Sequence, residues 1–276
     1  MSSMNCIMIG DVVGEPGLEA LEKQLPLLIQ KYNAEFVIVN GENAADGFGL
    51  TEETFNRIIN AGADIVTSGN HIWEKREFMS VLNSQDNILR PANYPAGSAG
   101  KGFIRVTKGG TDFLVVNLQG RECMYNIDCP FTVLNTILSD EKNSGAAVII
   151  DFHAEAPFEK EALGFYTDGR AALVAGTHTH VQTGDERILP GGTAYITDIG
   201  MTGVIESIIG MDIGICLNRV KTQILYRMEC AKGLTAVRGV CITIDTETKK
   251  ALSIERINET VEPDSETQPV SRAASM

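Results

Sequence analysis

Short apolar runs separated by stretches of helical periodicity fill the first half of the chain, the pattern expected where parallel strands are joined by crossover helices. Cys6–Ile9 predicts a first strand, and Glu19–Tyr32 a helix with Leu21, Leu25 and Leu28 on one face and Pro26 placed to bend it. Phe36–Val39 predicts a second strand. Thr51 has the chemistry of an N-cap, with Glu52 and Glu53 favourable in the first turn of a helix reaching Ala61. A third strand is predicted at Asp64–Thr67 and a helix at Glu74–Leu82. Between Gly102 and Leu118, two alternating strands flank Lys108-Gly109-Gly110-Thr111, a hairpin turn, so a mixed sheet is expected. The earlier rhythm then resumes with a helix at Pro130–Asp140, a strand at Ala146–Asp151, a helix at Glu159–Tyr166 and a strand at Ala171–Ala175. After Tyr195-Ile196-Thr197-Asp198, the segments Gln223–Glu229, Val237–Asp245 and Ala251–Ile257 read as antiparallel strands of a second sheet.

With 276 residues, 43% of them hydrophobic and 21% charged, the chain can bury a sizeable core. It shows no internal repeat and no Pro- or Ser-rich linker, so one α/β domain over residues 1–258 is expected. Residues 259–276 (ETVEPDSETQPVSRAASM) are polar and contain two prolines, the composition of a mobile tail unable to offset its ordering entropy.

Charge narrows the function classes. A formal net charge of −13 disfavours duplex nucleic acid as a partner, because that grip rests on Lys and Arg displacing counterions. An anionic substrate then needs a local source of positive charge, and a pair of metal cations is the simplest. The six cysteines are scattered and read as reduced thiols; Cys123 and Cys129 have no zinc-knuckle spacing. The N-terminal residues lack the basic region of a secretory leader, and no stretch approaches the ~18 apolar residues of a membrane span. The expectation is a cytoplasmic protein without a membrane partner, its oligomeric state left open.

Five apolar runs each end in metal-competent groups: Ile9-Gly10-Asp11, Val39-Asn40-Gly41-Glu42-Asn43, Ser68-Gly69-Asn70-His71, Ile150-Asp151-Phe152-His153 and Gly176-Thr177-His178-Thr179-His180. Ligand sites in open α/β sheets form beyond the carboxyl ends of the strands, so these distant segments can converge. All four histidines of the chain lie in them, which favours ligation over four unrelated loop or core roles. His178 and His180 share one side of extended backbone and can serve adjacent ions. Asp11 and Glu42 supply hard oxygens, and a carboxylate such as Glu42 can bridge two cations. Asn70 and Asn43 are candidate ligands too, although Asn is also favoured in turns.

An oxygen and imidazole set without thiolate argues against structural zinc and for two divalent or trivalent borderline ions, with Mn, Fe and Zn all open on the donors alone. A water bridging ions ~3.5–4 Å apart deprotonates near neutral pH and can attack phosphorus in line with the leaving oxygen. His71 is suited to protonate that oxygen or to stabilise a phosphate oxygen as imidazolium. The segment Gly10-Asp11-Val12-Val13-Gly14-Glu15-Pro16-Gly17 lacks the spacing of a dinucleotide fingerprint.

Taken in order, the segments resemble the calcineurin-like metallophosphoesterase superfamily, whose blocks run GDxH, GDxxD, GNH[ED], a later His, and GHxH. Here Val13 replaces the first-block His, Glu42 the bridging Asp, and Thr177 is inserted before His178. These departures resemble the YmdB-like branch, with GDVVG, VNGENAA, GNH, DFHAE, GTHTHVQT and ITDxGMTG all present between Met4 and Ile257. The resemblance implies mixed β-sheets packed as a sandwich and flanked by helices. It also implies a first metal held by Asp11, Glu42 and His180, and a second held by Glu42, Asn70, His153 and His178. Asn43 would assist at the first metal or at a phosphate oxygen, and His71 would be the catalytic histidine. The implied activity is a phosphodiesterase acting on 2′,3′-cyclic nucleotides with two Fe or Mn ions, Zn being the alternative. Asn93, in Arg90-Pro91-Ala92-Asn93-Tyr94-Pro95, is a candidate for the substrate side, with a structural loop the equal reading. Two other readings stay open: a phosphomonoesterase or 5′-nucleotidase using the same ions, and a regulatory protein that binds a phosphorylated ligand with little turnover, for which Val13 is the support.

Overall fold

Alternation along the strands sorts the chain into layers. The computed structural model of the chain describes residues 2–140, 142 and 144–262. In β1 (Ser3–Ile9), Met4, Cys6 and Met8 face one apolar cluster while Ile7 and Ile9 face another, as a strand covered on both sides requires. The chain continues through β2 (Asp11–Val12), α1 (Gly14–Tyr32), β3 (Ala34–Asn40), α2 (Glu52–Asn60), β4 (Ile65–Thr67) and α3 (Met79–Ser84). The hairpin of β5 (Phe103–Lys108) and β6 (Thr111–Gln119) precedes α4 (Pro130–Ser139), β7 (Ala147–His153), α5 (Pro157–Thr167) and β8 (Leu173–Thr177). Short strands β9 (Arg187–Ile188), β10 (Ala194–Ile196) and β11 (Met201–Val204) lead to α6 (Ile213–Thr222) and the long pair β12 (Thr235–Asp245) and β13 (Ala251–Val261).

Two mixed sheets result. The first has the order β2-β11-β12-β1-β3-β4 with β13 also on β12, and the second β5-β6-β7-β8-β10-β9. Between them, Met8, Phe36 and Ile242 pack with Phe113, Ile149 and Ala175. Leu21, Leu25, Ile58 and Leu82 of α1 to α3 cover the outer face of the first sheet, and Leu134 and Leu163 of α4 and α5 cover that of the second. This is the expected sandwich flanked by helices. No helix among the described residues is long and apolar enough to cross a membrane.

Most local expectations hold, with instructive shifts. Thr51 caps α2 by accepting the backbone N–H of Thr54. The β5–β6 turn places Gly109 and Gly110 at φ 52° and 76°, the left-handed pair that matches strand twist in a two-residue hairpin. Helix α1 begins at Gly14 rather than Glu19, since Pro16 falls in the first turn where its missing N–H costs nothing. Pro26 lies inside α1 without ending it. The helix expected at Glu74–Leu82 is split into a single 3-10 turn, Arg76–Phe78, and α3.

The strand expected at Gln223–Glu229 is absent from the described structure. Helix α6 ends at Thr222, and the segment follows with Ile224 and Leu225 exposed. Its alternation finds no place beside β12, whose edges are taken by β13 on one side and β1 and β11 on the other. At the C-terminus, β13 runs to Val261, three residues past the boundary at 258, because Glu259, Thr260 and Val261 pair with β12. The remainder of the expected mobile tail, 263–276, lies outside the described residues.

Parallel pairing brings strand ends side by side: β1 with β3 and β3 with β4 in one sheet, β6 with β7 and β7 with β8 in the other. At that edge the sheets are tied by a buried hydrogen bond from Asn40 Nδ2 at the end of β3 to Asp151 Oδ2 in β7, 2.9 Å. The metal-competent residues emerge there.

Candidate metal centre

Glu42, His153 and His178 come together from three separated strand ends, with one potential ligand atom of each within 4.8 Å of the others. Glu42 Oε1 lies 2.9 Å from His153 Nε2. His178 Nδ1 is 3.0 Å, and Asn70 Oδ1 3.2 Å, from that same nitrogen. Four side chains therefore point their donor atoms at one spot, and they are the set that the resemblance implies for the second metal.

The first set is arranged more loosely. Asp11 is fully buried; its Oδ2 accepts the His178 N–H at 3.2 Å, and its Oδ1 has no hydrogen-bond partner among the described residues. That oxygen is 3.7 Å from His153 Nδ1. His180 stands apart from the three-residue cluster, with Nδ1 2.8 Å from the Ile209 carbonyl and Nε2 3.3 Å from Asn43 Oδ1. A ring whose Nδ1–H is held by a carbonyl presents Nε2 as the free donor, the usual arrangement of a metal-binding imidazole. Val13 is buried in an apolar cluster with Met201, Met211 and Cys216, so its position offers no ligand.

His153 is oriented by a relay that periodicity does not reveal. Its Nδ1 lies 2.9 Å from Thr177 Oγ1, which donates to Asp151 Oδ1 at 2.7 Å, leaving Nε2 toward the cluster. Asp151 also accepts from Asn40 and Thr67. The available signal in the sequence is a carboxylate inside the otherwise apolar run Ala147–Phe152, which has to be hydrogen-bonded once buried.

Electrostatics follow from packing these groups without solvent. Burial opposes the charge on Glu42, but His153, His71 and His178 outweigh it and hold the carboxyl down at about 2. Burial likewise opposes an imidazolium at His153, yet Glu42, Asp11 and Asp151 lift it to about 9. His178 is pushed down to about 3 by burial and by the charge of His153. Burial raises Asp11, and it raises Asp151 to about 6. In the metal-free protein a proton on His153 thus does part of the work of a cation.

The donor set fits metal ions. Asp11 Oδ1 is a buried carboxylate oxygen with no hydrogen-bond partner among the described residues, and imidazoles meet carboxylates and amide oxygens, the donors suited to borderline metals. Gly69 shows that the space is reserved: a Cβ there would come 2.2 Å from His153 Nε2 and 2.3 Å from Glu42 Oε2.

His71 stands at the rim. Its backbone N–H donates to Glu42 Oε2 at 3.2 Å, while its partly exposed ring meets Phe48 edge-on and has Nδ1 3.5 Å from Glu74 Oε1. Asn43 is buried, its amide donating to the Gly47 carbonyl at 2.9 Å. Asn93 is buried and held by backbone groups of its own neighbourhood. Its Nδ2 donates to the carbonyls of Gln119 and Asp128 and its Oδ1 accepts the Gln119 N–H, so both amide donors are engaged in pinning the loop.

A double-sheet sandwich with these donors at the strand ends is a metallophosphoesterase fold. The family described as YmdB-like protein matches residues 7–257, and the chain belongs to that family. It is 49% identical over 254 residues, 92% of this chain and 96% of the relative, to the 2′,3′-cyclic-nucleotide 2′-phosphodiesterase of Bacillus subtilis (strain 168). Among solved structures it is similar to a hypothetical protein from Thermus thermophilus, with TM-score 0.88 and 41% identity over 94% of this chain and 100% of that one. It is also similar to a novel phosphatase from Mycoplasma pneumoniae, with TM-score 0.90 and 32% identity over 98% of each chain.

Proposed function

We propose that this protein is a binuclear metal-dependent phosphodiesterase that opens 2′,3′-cyclic nucleotides. The reading is carried by the convergence of Glu42, Asn70, His153 and His178 beside the unpartnered Asp11 Oδ1, with His71 at the rim. The activity of the Bacillus subtilis relative, at 49% identity, supports the substrate class.

Asp11, Glu42 and His180 would hold one ion, assisted by Asn43, and Glu42, Asn70, His153 and His178 the other. When bound, such a pair supplies Lewis-acid charge and a nucleophile at neutral pH. The donors suit Fe, Mn or Zn, and the family resemblance favours Fe or Mn over Zn. They also give an acidic protein the local positive charge that an anionic diester requires.

The chain's own residues do the rest. Glu42 is kept ionised and fixed, one oxygen near His153 and the other accepting the His71 N–H, so it can face both positions without reorganising. The Asp151–Thr177 relay holds His153 in one tautomer. Hydrolysis of a cyclic diester adds water across one P–O bond, and the departing ribose oxygen needs a proton. His71, held by Phe48 and near Glu74, is the donor, and its exposure lets it reload from solvent.

Parallel turnover measurements on 2′,3′-cyclic AMP, bis-p-nitrophenyl phosphate and p-nitrophenyl phosphate test the class. The diesters are expected to be preferred. Clear preference for the monoester would place the protein among phosphomonoesterases instead.

A further inference from the structure

Asp198, in the turn between β10 and β11, is not among the candidate ligands, yet it is hydrogen-bonded to the residue that lies between two of them. Its carboxylate is fully buried and saturated by protein donors. Oδ1 accepts the Gly200 N–H at 2.8 Å; Oδ2 accepts Lys160 Nζ at 2.7 Å, Thr179 Oγ1 at 2.8 Å and Thr179 N–H at 3.1 Å. With both oxygens so occupied, Asp198 is a positioning group rather than a further ligand.

What it positions is under strain. Thr179 is the residue between His178 and His180, which hold φ of 98° and 65°, a region that non-glycine residues rarely enter. Two such residues flanking one position persist only where the surroundings over-determine the loop. Asp198 does this by gripping both the backbone and the side chain of the middle residue. Lys160 of α5 is itself buried, and its Nζ pairs with the Asp198 carboxylate at 2.7 Å.

The backbone around Asp198 is keyed into both halves of the site. Ile199 N–H donates to the Gly176 carbonyl at 2.9 Å. A Cβ on Gly176 would stand 1.8 Å from the Thr197 carbonyl oxygen, and one on Gly10 would stand 1.8 Å from that of Gly200. One short segment thus backs the turn that carries Asp11 and the loop that carries His178 and His180. The feature belongs to the ITDxGMTG block, for which the ligand reading finds no use.

We propose that Asp198, paired with Lys160, sets the relative placement of the His178 and His180 rings through Thr179, so that loss of this clamp weakens both metal positions at once. The proposal rests on the binuclear reading of the site. Its discriminating substitution is Thr179→Val, which keeps the β-branched shape but removes the hydroxyl donor, with Thr179→Ser as the conservative rescue.

The experiment is a Mn²⁺ titration of chelator-stripped full-length protein, following free Mn²⁺ by electron paramagnetic resonance. Wild type and Thr179→Ser are expected to bind two equivalents with like affinity. Thr179→Val is expected to bind both equivalents ~10–100-fold more weakly, the usual effect of losing an outer partner of a ligand, while the metal-free protein stays folded and melts in one cooperative transition. Asp198→Asn should weaken binding at least as much. Unchanged affinity in Thr179→Val, or weakening of one equivalent alone, overturns the clamp. Wild-type protein that binds fewer than two ions overturns the binuclear reading, and the clamp with it.

Discussion

His153 Nε2 and Glu42 Oε1 stand 2.9 Å apart with both side chains shut off from solvent. One comes from the end of a strand in the second sheet and the other from a turn in the first, so their contact reports the docking of the two sheets. A strand-end network of hydrogen bonds, Asn40 to Asp151 and Asp151 through Thr177 to His153, runs beside that contact.

That contact leaves no room for a side chain at Gly69. In Gly69→Ala the new methyl would overlap His153 and Glu42, and overpacking of this kind costs ~1–3 kcal/mol. The variant is expected to melt lower and to lose metal along with turnover. Elemental analysis and a thermal melt check it, and retention of wild-type metal content would show that the pocket is roomier than described.

His71 separates chemistry from ligation. His71→Ala is expected to lower kcat by ~10²–10⁴-fold, the usual worth of a positioned acid, while metal content stays at the wild-type level. Asn70→Ala and His153→Ala should lower both. Steady-state kinetics beside metal analysis make the comparison, and equal kcat in wild type and His71→Ala removes the proton-donor role.

Thr177 links Asp151 to His153. Thr177→Val keeps the side-chain shape but leaves the His153 Nδ1 without its partner, and a ~10–100-fold loss of metal affinity is expected. Chelator competition measures it. Wild-type affinity in this variant would mean that the imidazole needs no external hold.

The metal-free protein has a pH signature. His153 is raised above 6.5 to about 9, so its contribution to stability is complete below 6.5 and is lost as pH climbs through 9. The melting temperature of chelated protein should therefore fall between pH 6.5 and 9, by roughly 5 °C for a loss of a few kcal/mol. With metal bound the ligating imidazoles are neutral, and this dependence should flatten. A chelated protein equally stable at both pH values contradicts the charge state assigned to His153.

Much of this was legible in the chain. Asp11, Glu42, Asn70, His153, His178 and His180 each follow an apolar run, and a strand end is where parallel sheets expose ligands. The layers were readable because Met4, Cys6 and Met8 alternate with Ile7 and Ile9. Gln223–Glu229 alternates equally well but has no open edge beside β12, and edge availability is a property of the assembled sheet. Asn93 could be read two ways because amides serve both substrates and loops, and the hydrogen bonds to the Gln119 backbone and the Asp128 carbonyl that hold it in its loop are not legible in the sequence. Asp198 was hidden for the opposite reason, since its importance lies in contacts with Thr179 and Lys160 that are distant in sequence.

The most direct test is to count the ions. Protein purified without added metal, stripped with chelator and titrated with Fe²⁺ or Mn²⁺ is expected to take up two equivalents per chain and to regain hydrolysis of 2′,3′-cyclic AMP as the second equivalent binds. Full activity in stripped protein, or no uptake of either metal, would contradict the binuclear site at its root.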